Sequence, residues 1–102
     1  MLFAIQLRYE RPAEAIKQQL EAHKNWLIRY IQTGKILFAG PLPQNDGGFL
    51  LAHGAAESEI ENMIAEDPFV AHQLVSFTIL GCEPAIRAAA FPAHWAAAAK
   101  AV

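Results

Sequence analysis

The stretch Lys35-Ile36-Leu37-Phe38-Ala39-Gly40-Pro41-Leu42-Pro43-Gln44-Asn45-Asp46-Gly47-Gly48-Phe49-Leu50-Leu51-Ala52 decides the architecture. Two short apolar runs flank a segment dense in Gly, Pro, Asn and Asp, and Asp-Gly between such runs is a strong hairpin signal. The stretch therefore predicts antiparallel strands over Lys35 to Leu42 and Phe49 to Ala52, joined by a turn over Gln44 to Gly48. Both runs are apolar on both faces, so both faces of their sheet need cover.

Working outward, the period changes to helical on either side. Upstream, Ala13 to about Thr33 carries Ile16, Leu20, Leu27, Tyr30 and Ile31 on one stripe, with His23 at its centre. Lys17, Glu21, Lys24 and Gln32 are expected to face away, Glu21 and Lys24 can pair at i,i+3, and Gly34 is a good terminator. Before this helix, Leu2 to Tyr9 alternates as a strand, with Phe3, Ile5, Leu7 and Tyr9 on one face and Gln6 and Arg8 on the other; Pro12 suits a helix entry. Downstream, Gly54 to Glu66 reads as a second helix whose start lies between Ala55 and Ser58, since Ser58 and Glu61 match a capping box. Leu74 to Cys82 is a fourth strand, with Val75, Phe77 and Ile79 on one face and Ser76 and Thr78 on the other.

The order strand, helix, strand, strand, helix, strand is the split βαβ pattern of an α+β, ferredoxin-like fold: a four-stranded antiparallel sheet with two helices on one face. The other face is left without cover although its residues are largely apolar, and packing two such sheets together in a homodimer answers that need. Residues 1–84 form this domain. Residues 85–102 form an Ala-rich tail in which Pro92 to Ala101 reads as a short helix, and Phe91 and Trp95 are expected to dock it on the body or on a partner chain.

Composition limits the functions. A chain of 102 residues suits one domain. It is 54% hydrophobic and 18% charged with a net charge of −2. That balance disfavours nucleic acid and is rich in apolar surface for a small monomer. No apolar run is long enough to span a membrane, and Met1–Leu7 meets Arg8 and Glu10 at once, as a strand would and a leader peptide would not. The single cysteine, Cys82, excludes an intrachain disulfide and fits a reduced, cytoplasmic setting; with no basic neighbour it reads as inert filler. His23, His53, His72 and His94 lack ligand spacing, so no metal site is expected. Neither a dinucleotide fingerprint nor a phosphate loop is present, so no cofactor is expected.

Chemistry concentrates in Ile64-Ala65-Glu66-Asp67-Pro68-Phe69-Val70. Asp67 falls on the apolar stripe of Ile60, Met63 and Ile64, and Pro68 ends the helix there. Either Asp67 is only the N-cap of a new short helix with Pro68 at its first position, or the cap also holds a carboxylate over a cleft. His23 likewise is either a satisfied core residue or a catalyst. Both stripes must face the same side of the sheet, so the two side chains are expected within hydrogen-bonding reach. A His oriented by a carboxylate is a usable general acid or base near neutral pH. Arg8, as a binder of an anionic substrate, and Ser76, on the same polar patch, are weaker candidates.

Several motifs, taken in order, resemble the YCII-related family of small dimeric α+β barrel proteins: Ala22-His23-Lys24-Asn25-Trp26-Leu27, Gly34 to Leu42, Gly47-Gly48-Phe49, and Glu66-Asp67-Pro68-Phe69-Val70-Ala71. The resemblance runs from Leu2 to about Pro84. It implies a ferredoxin-like protomer, a dimer, and an active-site dyad at His23 and Asp67. A dehydrochlorinase of a chlorinated hydroxyquinol belongs to the wider family, and muconolactone isomerases are related barrels. The chain departs from the pattern at Leu20, where many members carry Arg, at His72-Gln73, where many carry Gly, and at Cys82-Glu83-Pro84. The expected function is a small cytoplasmic enzyme moving a proton without cofactor on a small organic, aromatic or quinone-like molecule, by elimination, isomerisation or hydrolysis. The alternative is a non-catalytic dimeric module that binds a small ligand or a partner protein. A free polar pocket beside the dyad would favour the enzyme, and a dyad sealed by packing would favour the module.

Overall fold

The first strand, β1 (Leu2–Tyr9), is the inner strand on which the sheet is assembled in a computed structural model that describes residues 1–102. It pairs antiparallel with β3 (Gly47–His53) on one side and with β4 (Val75–Cys82) on the other, and β2 (Ile36–Pro41) adds to β3 at the far edge. The order β2-β3-β1-β4 is that of the expected ferredoxin-like sheet. Phe3, Ile5 and Leu7 point to one face and are buried there with Ile36, Leu50 and Ala52.

That face is covered by α1 (Ala13–Gln32) and α2 (Glu57–Ala65). Trp26 of α1 packs among Ile60, Met63 and Ile64 of α2, and its indole N–H donates to the Met63 carbonyl at 3.1 Å, so the largest core side chain leaves no unpaired donor. At the end of α1, Gly34 adopts φ 82°, and Lys35 N–H donates to Tyr30 C=O while Gly34 N–H donates to Ile31 C=O. These are the two bonds of a Schellman cap, which needs a left-handed residue at the Gly34 position. Beside that cap, the Tyr30 hydroxyl and Arg29 both donate to Glu66 Oε1, at 2.8 and 2.6 Å; burial first, and then this carboxylate, raise the Tyr30 phenol above its ordinary range.

Several local expectations are corrected. Gly47 and Gly48 belong to β3, and the turn is the segment before them, with Asn45 at φ 57° and Leu42 N–H donating to Gly47 C=O. A Cβ on Gly47 would lie 1.9 Å from the Leu7 carbonyl oxygen, so the glycine is required by close backbone approach within the sheet. The second helix starts at Glu57 with Ala56 as N-cap, so the Ser58–Glu61 capping box does not form; Glu59 instead accepts from the Ala55 N–H at 3.1 Å. Glu21 and Lys24 form no ion pair.

The tail does not form the expected helix over Pro92 to Ala101. Only one 3-10 turn, Ala93–Trp95, is present, and the short strands β5 (Ile86–Arg87) and β6 (Lys100–Ala101) pair in parallel. Trp95 packs against Phe91, ring centroids 5.9 Å apart, and Arg87 donates to the carbonyls of Ala88, Ala89 and Phe91. The hydrogen bonds of residues 85–102 close within the tail itself. Along the chain, no helix is long and apolar enough to cross a membrane.

Candidate functional site

Asp67 stands between α2 and a one-turn helix, α3 (Pro68–Ala71). Pro68 forbids a helical Asp67, which adopts φ −63°, ψ 124° and caps α3 as predicted. Asp67 Oδ1 accepts the Phe69 N–H at 3.0 Å and the bond from His23 Nδ1 at 2.8 Å. Asp67 is fully buried and His23 is 12% exposed. The His23 ring lies nearly parallel on Phe69, with centroids 4.0 Å apart and planes 7° apart. One capped turn thus fixes both the acceptor of the imidazole and the surface on which it rests. Asp67 Oδ2 is buried without a partner within the chain.

His23 also lines a cleft of about 280 Å³, while Asp67 stands behind it. Leu20 and Leu27 of α1 form one wall, Leu7 and Leu50 come from the covered face of the sheet, and Phe69 closes the end under His23. The hairpin supplies Pro41 and the side-chain-free Gly40, Gly47 and Gly48. The ring nitrogen Nε2 of His23 bonds to nothing in the chain.

The other residues singled out from sequence lie elsewhere. Arg8 and Ser76 are cross-strand neighbours, and both fall on the face away from the helices, because Arg8 alternates with Leu7 and Tyr9. Arg8 donates to Asp46 Oδ2 at 2.6 Å and the Ser76 hydroxyl to Glu10 Oε1 at 2.9 Å; neither lines the cleft. The structure therefore joins His23 with Asp67 and separates both from Arg8 and Ser76. No three side chains of His, Cys, Asp or Glu converge as a metal site would require. Cys82 is exposed at the edge of the sheet and fills no core space, contrary to its reading as filler. Two cleft residues escaped the sequence reading. Lys24, expected to face away, lines the cleft, and so does Tyr9. The spacing of Lys24 from Leu20 and Leu27, at i−4 and i+3, is the signal that would have found it.

The model of the YCII-related domain matches residues 1–81, and the chain belongs to that family. Among solved structures, it is similar to the 5-chloro-2-hydroxyhydroquinone dehydrochlorinase of Burkholderia phenoliruptrix AC1100 in complex with 2,5-dihydroxybenzoquinone. The likeness has a TM-score of 0.66 at 24% identity and covers 82% of this chain and 95% of that one. At that identity it shows a common fold. No protein of curated function matches the sequence.

Proposed function

We propose that this YCII-related protein is a small enzyme that moves a proton on a small organic ring, with His23 as the group that carries the proton and Asp67 as the group that positions it. The observation that carries the reading is the 2.8 Å bond between His23 Nδ1 and Asp67 Oδ1, made behind a cleft wall to which His23 itself contributes. Oδ1 is already an acceptor for the Phe69 N–H, so Nδ1 carries the hydrogen and donates. In the neutral ring the lone pair is then on Nε2, the nitrogen without a partner. Nε2 takes a proton from the ligand as general base. The imidazolium so formed is stabilised by the Asp67 carboxylate, and Nε2 returns the proton to another atom of the ligand or to a leaving group. Elimination, isomerisation and hydrolysis all fit that cycle. The apolar walls keep water away and suit a ring of the size of the dihydroxybenzoquinone bound by the dehydrochlorinase. The cleft beside the dyad is mainly apolar but holds the polar groups of His23, Lys24 and Tyr9, which favours this reading over a binding module, in which the pair would be sealed by packing.

The test is proton exchange from deuterated water into a panel of small hydroxylated quinols and cyclic enones, followed by NMR. Wild-type protein should catalyse exchange on at least one, and His23→Ala and Asp67→Asn should each lower the rate by about 10²- to 10⁴-fold, the usual worth of general acid–base catalysis. The double variant should be no slower than His23→Ala, since the two residues act as a unit. Exchange that survives in His23→Ala would remove the reading.

A further inference from the structure

Three polar side chains line the cleft, and each keeps a polar group without a partner. His23 Nε2 has no partner, Lys24 makes no ion pair or hydrogen bond, and the Tyr9 hydroxyl neither donates nor accepts within the chain. Arg29 and Lys35 are engaged away from the cleft, with Glu66 and with Glu59, and Lys17 does not line it, so Lys24 is the cation that the cleft holds. No Asp or Glu lines the cleft. Its polar side chains are therefore a cation, a phenol and an imidazole, set among apolar walls with no carboxylate to neutralise the cation.

We propose that the cleft selects a flat ring bearing a weak acid group and binds it as the anion, with Lys24 as counter-charge and Tyr9 as a second hydrogen-bond donor. This rests on the proton-transfer reading of the same cleft and names its substrate class. The aliphatic stem of Lys24 lies on the helix face of Leu20 and Leu27, so it can follow their apolar wall and present the ammonium at the opening. Tyr9 is placed relative to His23 through Phe69. The Tyr9 ring meets Phe69 edge-on at 6.1 Å and 89°, and Phe69 stacks under His23. Gly40, Gly47 and Gly48 of the hairpin line the cleft without side chains, which leaves room for a ring beside the aromatic end. A charge-assisted bond from the ammonium to the anion is roughly twice as strong as a neutral one. Lys24 and Tyr9 are specificity-determining residues in this scheme, while His23 does the proton work.

The test compares 4-nitrophenol with 4-nitroanisole, a neutral ring of nearly the same shape, on the full chain. Binding is followed by calorimetry and by the imidazole NMR signals of His23, and the phenolate is also followed by its visible absorbance. Wild-type protein should bind the phenol at least about tenfold more tightly than the anisole. It should also raise the phenolate fraction, seen as increased visible absorbance on binding below neutral pH. Lys24→Gln should abolish that increase and the preference while still binding the anisole, and Lys24→Arg should restore part of both. Tyr9→Phe should lower the preference by a smaller factor. Lys24 is exposed, so its substitution leaves the core intact, which circular dichroism checks. Equal binding of the two rings by wild type, or an unchanged preference in Lys24→Gln, would overturn the inference and leave the proton-transfer reading standing. If neither ring perturbed His23, both would fall together.

Discussion

The two faces of the sheet hold polar side chains under opposite conditions. On the covered side, His23 and Asp67 meet with almost no solvent between them, and the aspartate also caps a helix. On the open side, Arg8 pairs with Asp46 while both remain about half exposed, at 50% and 43%. The distances alone would rank Arg8–Asp46, at 2.6 Å, above His23–Asp67 at 2.8 Å. Surroundings reverse that order. An exposed pair exchanges one set of water contacts for another and contributes little. A buried carboxylate that loses its partner is left charged in a poor solvent, and its removal from the chain takes a cap with it.

The sharpest way to break this comparison is to cut each pair at its aspartate. Asp67→Ala should cost about 3 kcal/mol or more of unfolding free energy, from the orphaned His23 and the lost cap. Asp67→Asn, which keeps an acceptor, should cost about 1–3 kcal/mol. Asp46→Ala should cost less than about 1 kcal/mol. Urea midpoints at constant slope measure all three. Similar losses for Asp67→Ala and Asp46→Ala would mean that burial is not what separates the pairs.

The open face poses a second question, because much of it is apolar. Phe38 and Leu80 are 53% and 71% exposed there, and Phe38 stacks against Phe49 at 6.0 Å. Leu2, Ala4 and Leu51 share the same face by register. We propose that a second copy covers it, giving the dimer expected from the sequence. Light scattering should report twice the 11.2 kDa chain mass. Leu80→Glu should weaken association by about a hundredfold, the worth of one large apolar side chain buried on assembly. A wild-type monomer that unfolds cooperatively would end this proposal.

What could be read from the sequence follows the same division. The sheet order, both long helices and the His23–Asp67 contact were legible because each rests on a repeating period or on a proline that forces one backbone state. The period-two alternation set Arg8 with Gln6 on the face opposite Leu7 and Tyr9, and the register places it there, away from the cleft. Lys24 was hidden because its charge argues for solvent, although its position on α1 lies between Leu20 and Leu27 of the apolar stripe. Ser58 matched a capping box in spacing alone, and the Glu59 bond to Ala55 N–H holds that helix start in its place. The tail offered Ala, a helix former, but eighteen residues outside the main core leave few apolar contacts to fix a helix, and its backbone pairs across β5 and β6 instead.

A smaller effect is expected at Gln73, just after the turn that holds Asp67. Gln73 N–H donates to Val70 C=O and Leu74 N–H to Phe69 C=O, which is again a Schellman cap, but the left-handed position is taken by Gln73 at φ 57°. A non-glycine residue is disfavoured there by about 1–2 kcal/mol, and glycine returns part of that as chain entropy in the unfolded state. Gln73→Gly should therefore stabilise the chain by about 0.5–1 kcal/mol in the same urea measurement. It should leave the dyad distance unchanged, since the cap bonds are backbone bonds. Destabilisation would mean that the Gln73 side chain makes a contribution beyond its backbone.

The smallest effect should come from the pair that ties the start of β2 to α2. Lys35 donates to Glu59, which also accepts the Ala55 N–H, and the Lys35 bond is the main cause, followed by the backbone bond, of a Glu59 carboxyl held below its usual range. A carboxyl whose folded pKa is depressed binds protons less readily in the native state than in the unfolded chain. Its stabilising contribution is complete above the unfolded value and is lost as pH falls through the folded one. Both groups keep solvent access, at 43% and 35%, so the contribution is modest and screened by salt. Glu59→Gln should lower stability slightly at neutral pH, and the gap from wild type should close as the solution is acidified below the ordinary glutamate range. Added salt at neutral pH should narrow the same gap. The His23–Asp67 pair, shielded from solvent, should respond far less to salt, so measuring both variants in low and high salt returns to the contrast between buried and exposed pairs. A salt response of equal size for Asp67→Asn and Glu59→Gln would show that solvent reaches the dyad as freely as it reaches the rim.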